Sequence, residues 1–133
     1  IDIANSMRLW EPSPLAAVGE ELLRTSESAV LASSRGLPHA AAVVVASVRE
    51  RAAAAFGVPD THVEPPQLVR YRYGQRYGKH VDWGGPEDAS IWIAGQRVAS
   101  ALVYLTEFPR ALVGAGGATE FPRLGVRMAP AKG

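Results

Sequence analysis

The tripeptide His80-Val81-Asp82 carries the residue types with the clearest chemistry in this chain. A neutral imidazole and a carboxylate are two of the three ligands in the two-histidine, one-carboxylate triad, which holds Fe(II) and leaves one coordination face open. On a β-strand, residues i and i+2 project from the same face, so both side chains could converge on one ion. His-x-Asp is also common by chance. The alternative is a partly buried histidine beside a surface aspartate.

The second half of the chain has the pattern of the strands that would position this pair. Gln67 to Trp83 alternates and is rich in tyrosine and valine, which predicts a strand. Arg97 to Leu105 and Leu124 to Met128 have a similar β-type pattern, and glycines and prolines separate the segments. Short strands punctuated in this way favour an antiparallel sandwich or barrel over alternating strands and helices.

The first half predicts one main helix from Pro38 to Phe56, ended by Gly57. Its apolar residues at helical spacing are Val44, Val48, Ala52 and Phe56. We expect this stripe to pack against the sheet, with the charged residues 49–51 on the opposite side.

The segment before this helix is harder to assign. Ser13-Pro14 could cap and begin a short helix through Leu23, or the segment could be irregular extended chain. Both readings stay open. Ser28 to Ser33 contains an apolar run long enough for a short strand.

Composition limits the classes of function. The 133 residues are enough for one domain, and a formal net charge of +1 gives no reason to expect nucleic acid or an anionic membrane as a partner. No apolar run approaches the roughly 18 residues that a membrane span needs. The chain has no cysteine, which excludes disulfides and thiolate metal sites.

Further segments extend the pattern around His80 and resemble one known family. Leu68 to Trp83 is similar to a ligand strand that reads L-x-v-x-R-Y-x-x-G-Q-x-Y-x-x-H-x-D. The other similar segments are Gly95 to Leu105 (G-Q-R-x-x-T-x-l-x-Y-L), Gly116 to Pro122 (G-G-E-T-x-F-P), Gly125 to Gly133 (G-x-x-V-x-P-x-K-G) and Arg24-Thr25-Ser26 (R-T-S). All of these motifs occur in the prolyl 4-hydroxylases. The resemblance covers Arg24 to Gly133.

The resemblance implies a mainly β fold with helices (α+β), a double-stranded β-helix or jelly roll with one or two packed helices. It also implies a dioxygenase that uses Fe(II), O₂ and 2-oxoglutarate, with ascorbate as reductant. Such an enzyme releases succinate and CO₂ and hydroxylates a peptide or protein substrate. Proline is the residue that the resemblance favours.

The resemblance assigns a role to each matching residue. The implied metal ligands are His80 and Asp82, and the implied 2-oxoglutarate-binding residues are Tyr71, Thr119 and Tyr104. The residues implied to face the peptide substrate are Tyr77, Arg97 and Trp83. The bland alternative for the tyrosines is that they are strand aromatics packing on the sheet.

The family places its third iron ligand, a histidine, and a basic partner for 2-oxoglutarate downstream of the K-G motif, which here ends at Gly133. Neither His39 nor His62 fits that role. We therefore expect a single partial oxygenase domain, with residues 1–66 as helical support and residues 67–133 as jelly-roll strands, incomplete at its C-terminus. By itself it should be inactive.

Two rival hypotheses remain open. One is a related oxygenase that acts on a small molecule, and the other is a non-catalytic or degenerate jelly-roll binding module. We expect a soluble protein, and the sequence does not choose between the cytoplasm and the endoplasmic reticulum lumen.

Overall fold

The computed structural model describes residues 1–13, 17–18, 21–32, 36–85, 95–107 and 116–133. These residues fall into two compact units, Ile1–Ala99 and Ser100–Gly133, which are described separately below. The described parts contain helices and small antiparallel sheets, which confirms the mixed α+β class. Within the described ranges, no helix is long and apolar enough to cross a membrane.

The first unit is built on a three-stranded antiparallel sheet with the order β1-β4-β5. Its strands are β1 (Glu11–Pro12), β4 (Glu27–Val30) and β5 (Gln67–Arg70). In the register of β4 with β5, Glu27 lies opposite Arg70 and Val30 lies opposite Gln67. Two shorter strands, β2 (Ala17–Val18) and β3 (Glu21–Leu22), pair with each other.

The hydrophobic core of this unit lies between the sheet and a short N-terminal helix, α1 (Asp2–Ser6). Ala4, Leu9 and Ala29 are its buried members. The partly buried residues packed against them are Met7, Trp10, Leu31, Leu37 and Leu68. Two of these three buried residues are alanines, so the fully buried part of this core is small.

The main helix, α2 (His39–Phe56), confirms the helix predicted from Pro38 to Phe56. Pro38 is its N-cap, and Gly57 ends it with φ 65°, a left-handed conformation that glycine adopts without steric cost. A 3₁₀ turn, Asp60–His62, follows.

The predicted packing face of α2 is wrong. Val44 is 61% exposed and Val48 is 42% exposed, whereas Ala41 and Ala53 are the buried residues of the helix. Arg49, predicted to lie on the outer side, instead donates from Nη2 to the carbonyl oxygens of Asp60 (2.7 Å) and Val63 (3.1 Å). The guanidinium draws this side of the helix against the 3₁₀ turn. The valines are therefore left toward solvent.

Of the two hypotheses for the segment from Ser13 to Leu23, the structure supports extended chain over a short helix where the segment is described. Strands β2 and β3 occupy positions that the helix would have covered. The strand predicted within Ser28 to Ser33 exists as β4 but begins one residue earlier and ends at Val30. Helix α1 was not predicted.

The strand predicted over Gln67 to Trp83 is mostly wrong, because the regular strand stops at Arg70. A turn at residues 72–75 interrupts it. The strand predicted over Arg97 to Leu105 is wrong as well, since residues 95–107 contain no strand. An apolar pattern favours extended chain, but a strand also needs a partner for its backbone hydrogen bonds. No described residue pairs with this segment as a strand.

The second unit contains a β-hairpin of β6 (Thr119–Phe121) and β7 (Val126–Met128). Thr119 lies opposite Met128, and Phe121 lies opposite Val126. The short strand predicted between Leu124 and Met128 is confirmed over its last three residues.

Candidate functional site

The segment that carries His80 is held to the first unit by backbone pairing on both sides of a turn. The turn closes where Gln75 Oε1 accepts a hydrogen bond from the Arg72 amide (2.8 Å). The Thr25 amide then donates to the Arg76 carbonyl (3.0 Å), and the Gly78 amide donates to the Leu23 carbonyl (2.7 Å). The pairing between β4 and β5 therefore resumes after the turn and fixes the chain just before His80.

The His80 side chain is oriented by a backbone carbonyl. Its Nδ1 lies 2.8 Å from the Gly78 carbonyl oxygen, which can only accept a hydrogen bond. In a neutral ring, Nδ1 must therefore carry the proton, and Nε2 is left with its lone pair. His80 Nε2 lies 3.4 Å from Asp82 Oδ1. Nε2 and the carboxylate thus lie side by side.

The separation of this donor pair is compatible with two ligands of one divalent metal ion. Two adjacent ligands of an octahedral ion lie about 3.0 Å apart when each bond is about 2.1 Å long, close to the 3.4 Å between His80 Nε2 and Asp82 Oδ1. A histidine ligand whose other nitrogen donates to a carbonyl is a common arrangement around metals. No group of three or more His, Cys, Asp or Glu residues that could hold a metal occurs among the described residues. If His80 is protonated, the same geometry is an ion pair.

His80 and Asp82 do not lie on a strand, contrary to prediction. Residues 79–83 form a bend and irregular chain. Their side chains nevertheless meet, because the Gly78 carbonyl directs the imidazole of His80. The shared strand face was therefore not the reason for their proximity.

Tyr77 stacks on His80. The two ring centroids are 3.6 Å apart, and the ring planes differ by 9°. The guanidinium carbon of Arg24 lies over the Tyr77 ring, 4.6 Å from its centroid. Arg24 thus belongs to the surroundings of His80, together with Tyr77.

The chain after Asp82 is held by Gln96 and Arg97. The Gln96 side chain accepts from the Gly84 amide (3.1 Å) and donates to the Gly84 carbonyl (2.8 Å). Arg97 makes a two-point ion pair with Glu64, in which Nη2 lies 2.9 Å from Oε2, and its Nη1 lies 3.5 Å from the Asp82 carbonyl oxygen. The side chain predicted to face substrate is thus engaged with a carboxylate of its own unit.

Two predicted cosubstrate residues meet in the second unit. The Tyr104 hydroxyl donates to Thr119 Oγ1 at 2.7 Å and lies 3.4 Å from the Met128 carbonyl oxygen. The Gly133 amide donates to the Tyr104 carbonyl (3.2 Å). Because Thr119 Oγ1 accepts from Tyr104, its own proton is available to a ligand oxygen.

The two remaining predicted residues lie in the first unit. Tyr71 directly follows β5 and is about half exposed, and its hydroxyl has no hydrogen-bond partner among the described residues. Trp83 directly follows Asp82 and is also exposed. The first unit contains His80, Asp82, Tyr71, Tyr77, Trp83 and Arg97, and the second contains Tyr104 and Thr119.

Comparison with known proteins bears on the family. Over 79 residues the chain is 33% identical to probable prolyl 4-hydroxylase 7 of Arabidopsis thaliana, covering 59% of this chain and 23% of that protein. Over 91 residues it is 35% identical to prolyl 4-hydroxylase subunit alpha-2 of Gallus gallus, covering 68% of this chain and 16% of that protein. Subunit alpha-1 of Gallus gallus is 31% identical over 93 residues, covering 68% and 17% respectively.

The chain is a member of the prolyl 4-hydroxylase-like family. It spans between 16% and 23% of the length of these three relatives. No protein-family model matches it, and no solved structure matches it.

The sequence alone did not assign roles to several residues that shape the site of this prolyl 4-hydroxylase-like chain. Arg24 and Thr25 belong to the quoted R-T-S motif, and Gln96 belongs to the G-Q-R motif, so a signal for each was present. The Gly78 carbonyl gave no such signal, because a backbone atom has no residue type. A Cβ at Gly78 would lie 2.7 Å from Leu23 Cδ1, so any larger residue there requires Leu23 to move.

Proposed function

We propose that this chain belongs to an Fe(II)- and 2-oxoglutarate-dependent dioxygenase that hydroxylates proline in a peptide or protein, and that it supplies part of the active site of that enzyme. The observation that carries the proposal is the pairing of His80 Nε2 with Asp82 Oδ1 at 3.4 Å, in a chain related to prolyl 4-hydroxylases. We also propose a double-stranded β-helix scaffold. The antiparallel ladder of β4 with β5 and the β6–β7 hairpin are compatible with it.

In this proposal His80 and Asp82 hold the metal. Fe(II) held by these residues would supply the activation of O₂ that is coupled to the decarboxylation of 2-oxoglutarate to succinate, with ascorbate as reductant. His80 contributes the Nε2 lone pair, because the Gly78 carbonyl fixes the proton on Nδ1. Asp82 contributes the negative charge that offsets part of the charge of the ion.

Tyr104 and Thr119 are the proposed anchors for the distal carboxylate of 2-oxoglutarate. Tyr104 donates to Thr119, and this bond leaves the Thr119 hydroxyl proton free to donate to a carboxylate oxygen. Neutral donors can bind a carboxylate without adding charge of their own. Tyr71, a half-exposed residue of the first unit, is also proposed as a contact of the cosubstrate.

The proposed substrate is a peptide that contains proline. The relatives are named as prolyl 4-hydroxylases, and the exposed indole of Trp83 next to Asp82 offers an apolar surface to a proline ring. Arg97 would act mainly by holding the Asp82 carbonyl and Glu64, with a direct contact to peptide as its second possible role. Tyr77 is the third residue proposed for this region.

The test is succinate release from 2-oxoglutarate with Fe(II), ascorbate and a proline-rich peptide, using the protein as its gene encodes it. We expect His80→Ala and Asp82→Ala each to reduce turnover by at least about 100-fold, because each removes a metal ligand. The matched control is His62→Ala, an exposed histidine on the 3₁₀ turn, which should retain activity.

The other outcomes of this assay separate the rival functions. Turnover that persists in His80→Ala contradicts the assignment of this histidine. Turnover with a small molecule but with no peptide indicates a related oxygenase of different specificity. A folded protein without any succinate release supports the non-catalytic binding module.

A further inference from the structure

Three side chains form a stack beside the proposed metal ligand. The His80 imidazole lies almost parallel to the Tyr77 ring at a centroid distance of 3.6 Å, so it covers one face of that ring. The Arg24 guanidinium carbon also lies over the Tyr77 ring, at 4.6 Å from its centroid. Since the first face is filled by the imidazole, the guanidinium occupies the second. Tyr77 is thus sandwiched between a cation and His80.

The outer end of the stack is tied to buried residues. Arg24 Nε donates to Ser26 Oγ at 2.9 Å, and Ser26 Oγ lies 2.8 Å from Ser13 Oγ. Both serines are only 2% exposed. The guanidinium is therefore anchored to the interior of the first unit, which limits how far the Tyr77 ring can tilt.

The inner end of the stack is tied to the backbone. Tyr77 is paired with Arg24 by an isolated β-bridge, and the His80 Nδ1 lies 2.8 Å from the Gly78 carbonyl oxygen. Hydrogen bonding fixes the in-plane direction of the imidazole, and stacking fixes the tilt of its plane. Together the two contacts determine where Nε2 points.

We propose that Arg24 is a positioning residue for His80 and acts through Tyr77, which serves as a stacking platform. This inference rests on the proposed function, since it concerns the aim of His80 Nε2 toward a metal. It changes the role expected for Tyr77. With both ring faces covered, Tyr77 can offer a substrate only its hydroxyl and ring edge.

The first measurement is free of metal and reports the stack itself. An aromatic ring stacked at 3.6 Å changes the ¹H NMR chemical shifts of the imidazole protons. The ring signals of His80 should therefore be displaced relative to those of His39 and His62. We expect Arg24→Gln to move these signals toward normal positions and Arg24→Lys to preserve more of the displacement, because a lysine keeps the cation over the ring. Tyr77→Phe should preserve it, and Tyr77→Leu should abolish it.

The second measurement is a titration with Mn²⁺ alone, which is a redox-stable stand-in for Fe(II). Binding is monitored by the selective broadening of the His80 NMR signals. Arg24→Gln should raise the Mn²⁺ concentration at half-saturation about three- to tenfold. This is less than the loss of affinity of about 10- to 100-fold that is typical when a direct partner of a metal ligand is removed. Tyr77→Phe should bind Mn²⁺ like the unmodified chain, because the hydroxyl is not needed for stacking. Tyr77→Leu should bind at least as weakly as Arg24→Gln.

The matched control is Arg70→Gln. Arg70 also lies over an aromatic ring, at 4.2 Å from the Trp10 centroid, but stacks on Trp10 instead of Tyr77. It should lower stability without changing the His80 signals or the Mn²⁺ titration. An equal loss of Mn²⁺ binding in Arg70→Gln and Arg24→Gln would mean that general destabilisation is responsible, and would overturn the inference.

Failure of the inference can be told apart from failure of the proposed function. If Arg24→Gln keeps both the displaced His80 signals and normal Mn²⁺ binding, while His80→Ala abolishes binding, only the role of Arg24 is wrong. If His80→Ala binds Mn²⁺ as well as the unmodified chain, the metal site itself is wrong. A raised KM for peptide in Tyr77→Phe, with Mn²⁺ binding unchanged, would show that the Tyr77 hydroxyl contacts substrate and would support the stacking role of the ring.

Discussion

At the scale of single residues, the candidate metal site depends on which nitrogen of His80 carries its proton. A hydrogen bond from Nδ1 to the Gly78 carbonyl leaves Nε2 as the free nitrogen, 3.4 Å from Asp82 Oδ1. Neither the imidazole nor the carboxylate alone would hold a divalent ion well. Together they supply a neutral and a charged donor with a spacing that suits one ion.

The hydroxyl pair in the second unit gives a prediction for the cosubstrate. Tyr104→Phe removes the donor that bonds Thr119 Oγ1 at 2.7 Å, so the Thr119 hydroxyl loses its fixed direction. We expect the KM for 2-oxoglutarate to rise about three- to tenfold with a smaller change in kcat, consistent with the loss of one hydrogen bond worth about 1 kcal/mol. Steady-state kinetics of succinate release measure this.

Tyr73→Phe is the matched control for that experiment. Tyr73 is fully exposed, and its substitution removes a hydroxyl of the same type that makes no hydrogen bond to Thr119. An equal rise of KM in both variants would contradict the proposed anchor.

At the scale of secondary-structure elements, the antiparallel ladder of β4 and β5 is joined by an ion-pair cluster. Arg70 Nε lies 2.8 Å from Glu27 Oε2, and Arg72 Nε lies 3.3 Å from the same oxygen. The hydrogen bond from Arg70 is the main cause that holds the pKa of Glu27 below its usual value of 4.5, while burial opposes it and Arg72 adds to it.

The lowered pKa of Glu27 predicts a dependence of stability on pH. A carboxyl with a lower pKa in the folded state stabilises the fold above its unfolded pKa of 4.5, and this contribution is lost as the pH falls through the folded pKa. We expect Glu27→Gln to flatten this part of the acid-side decline of the unfolding free energy, measured by urea denaturation at several pH values. Arg72→Gln should reduce the slope of the unfolding free energy against pH less than Arg70→Gln does. An unchanged slope in Glu27→Gln would contradict the ion-pair account.

The contact of α2 with the 3₁₀ turn gives a prediction about stability. Arg49→Ala removes two hydrogen bonds from Nη2 to the carbonyls of Asp60 and Val63. The buried Nε of Arg49 has no hydrogen-bond partner among the described residues, and this unfavourable burial offsets part of the stabilisation from the two hydrogen bonds. We expect a net loss of about 1 kcal/mol in the unfolding free energy. Arg51→Ala, at an exposed position two residues further along the helix, should change it by less than about 0.5 kcal/mol.

The helix was predictable because its signals are local. Pro38 begins it and Gly57 ends it, and both effects depend on the backbone of single residues. Its packing face was not predictable from apolar spacing, because Arg49 bonds the 3₁₀ turn through hydrogen bonds that apolar spacing does not indicate. The strand from Gln67 was overextended for a different, local reason. Its pattern continues past Arg70, but Gly74 adopts φ 81° and the chain turns.

At the scale of the whole molecule, the sequence predicted the components of the candidate site better than their arrangement. The pairs His80 with Asp82 and Tyr104 with Thr119 were both named from motifs, and each pair lies within hydrogen-bonding or ion-pair distance. The stack of Arg24 on Tyr77 was not predicted, because it joins residues 53 positions apart through a bridge that no local pattern encodes.

The most direct test of the metal assignment is a titration with Mn²⁺ in which the ring signals of the three histidines are followed by NMR. Two exposed histidines, His39 and His62, serve as internal references. We predict that the His80 signals broaden first and that Asp82→Ala removes this selectivity, because the carboxylate 3.4 Å from Nε2 supplies the second donor. Equal broadening of all three histidines, or unchanged selectivity in Asp82→Ala, would contradict the account and leave His80 and Asp82 as an ordinary ion pair.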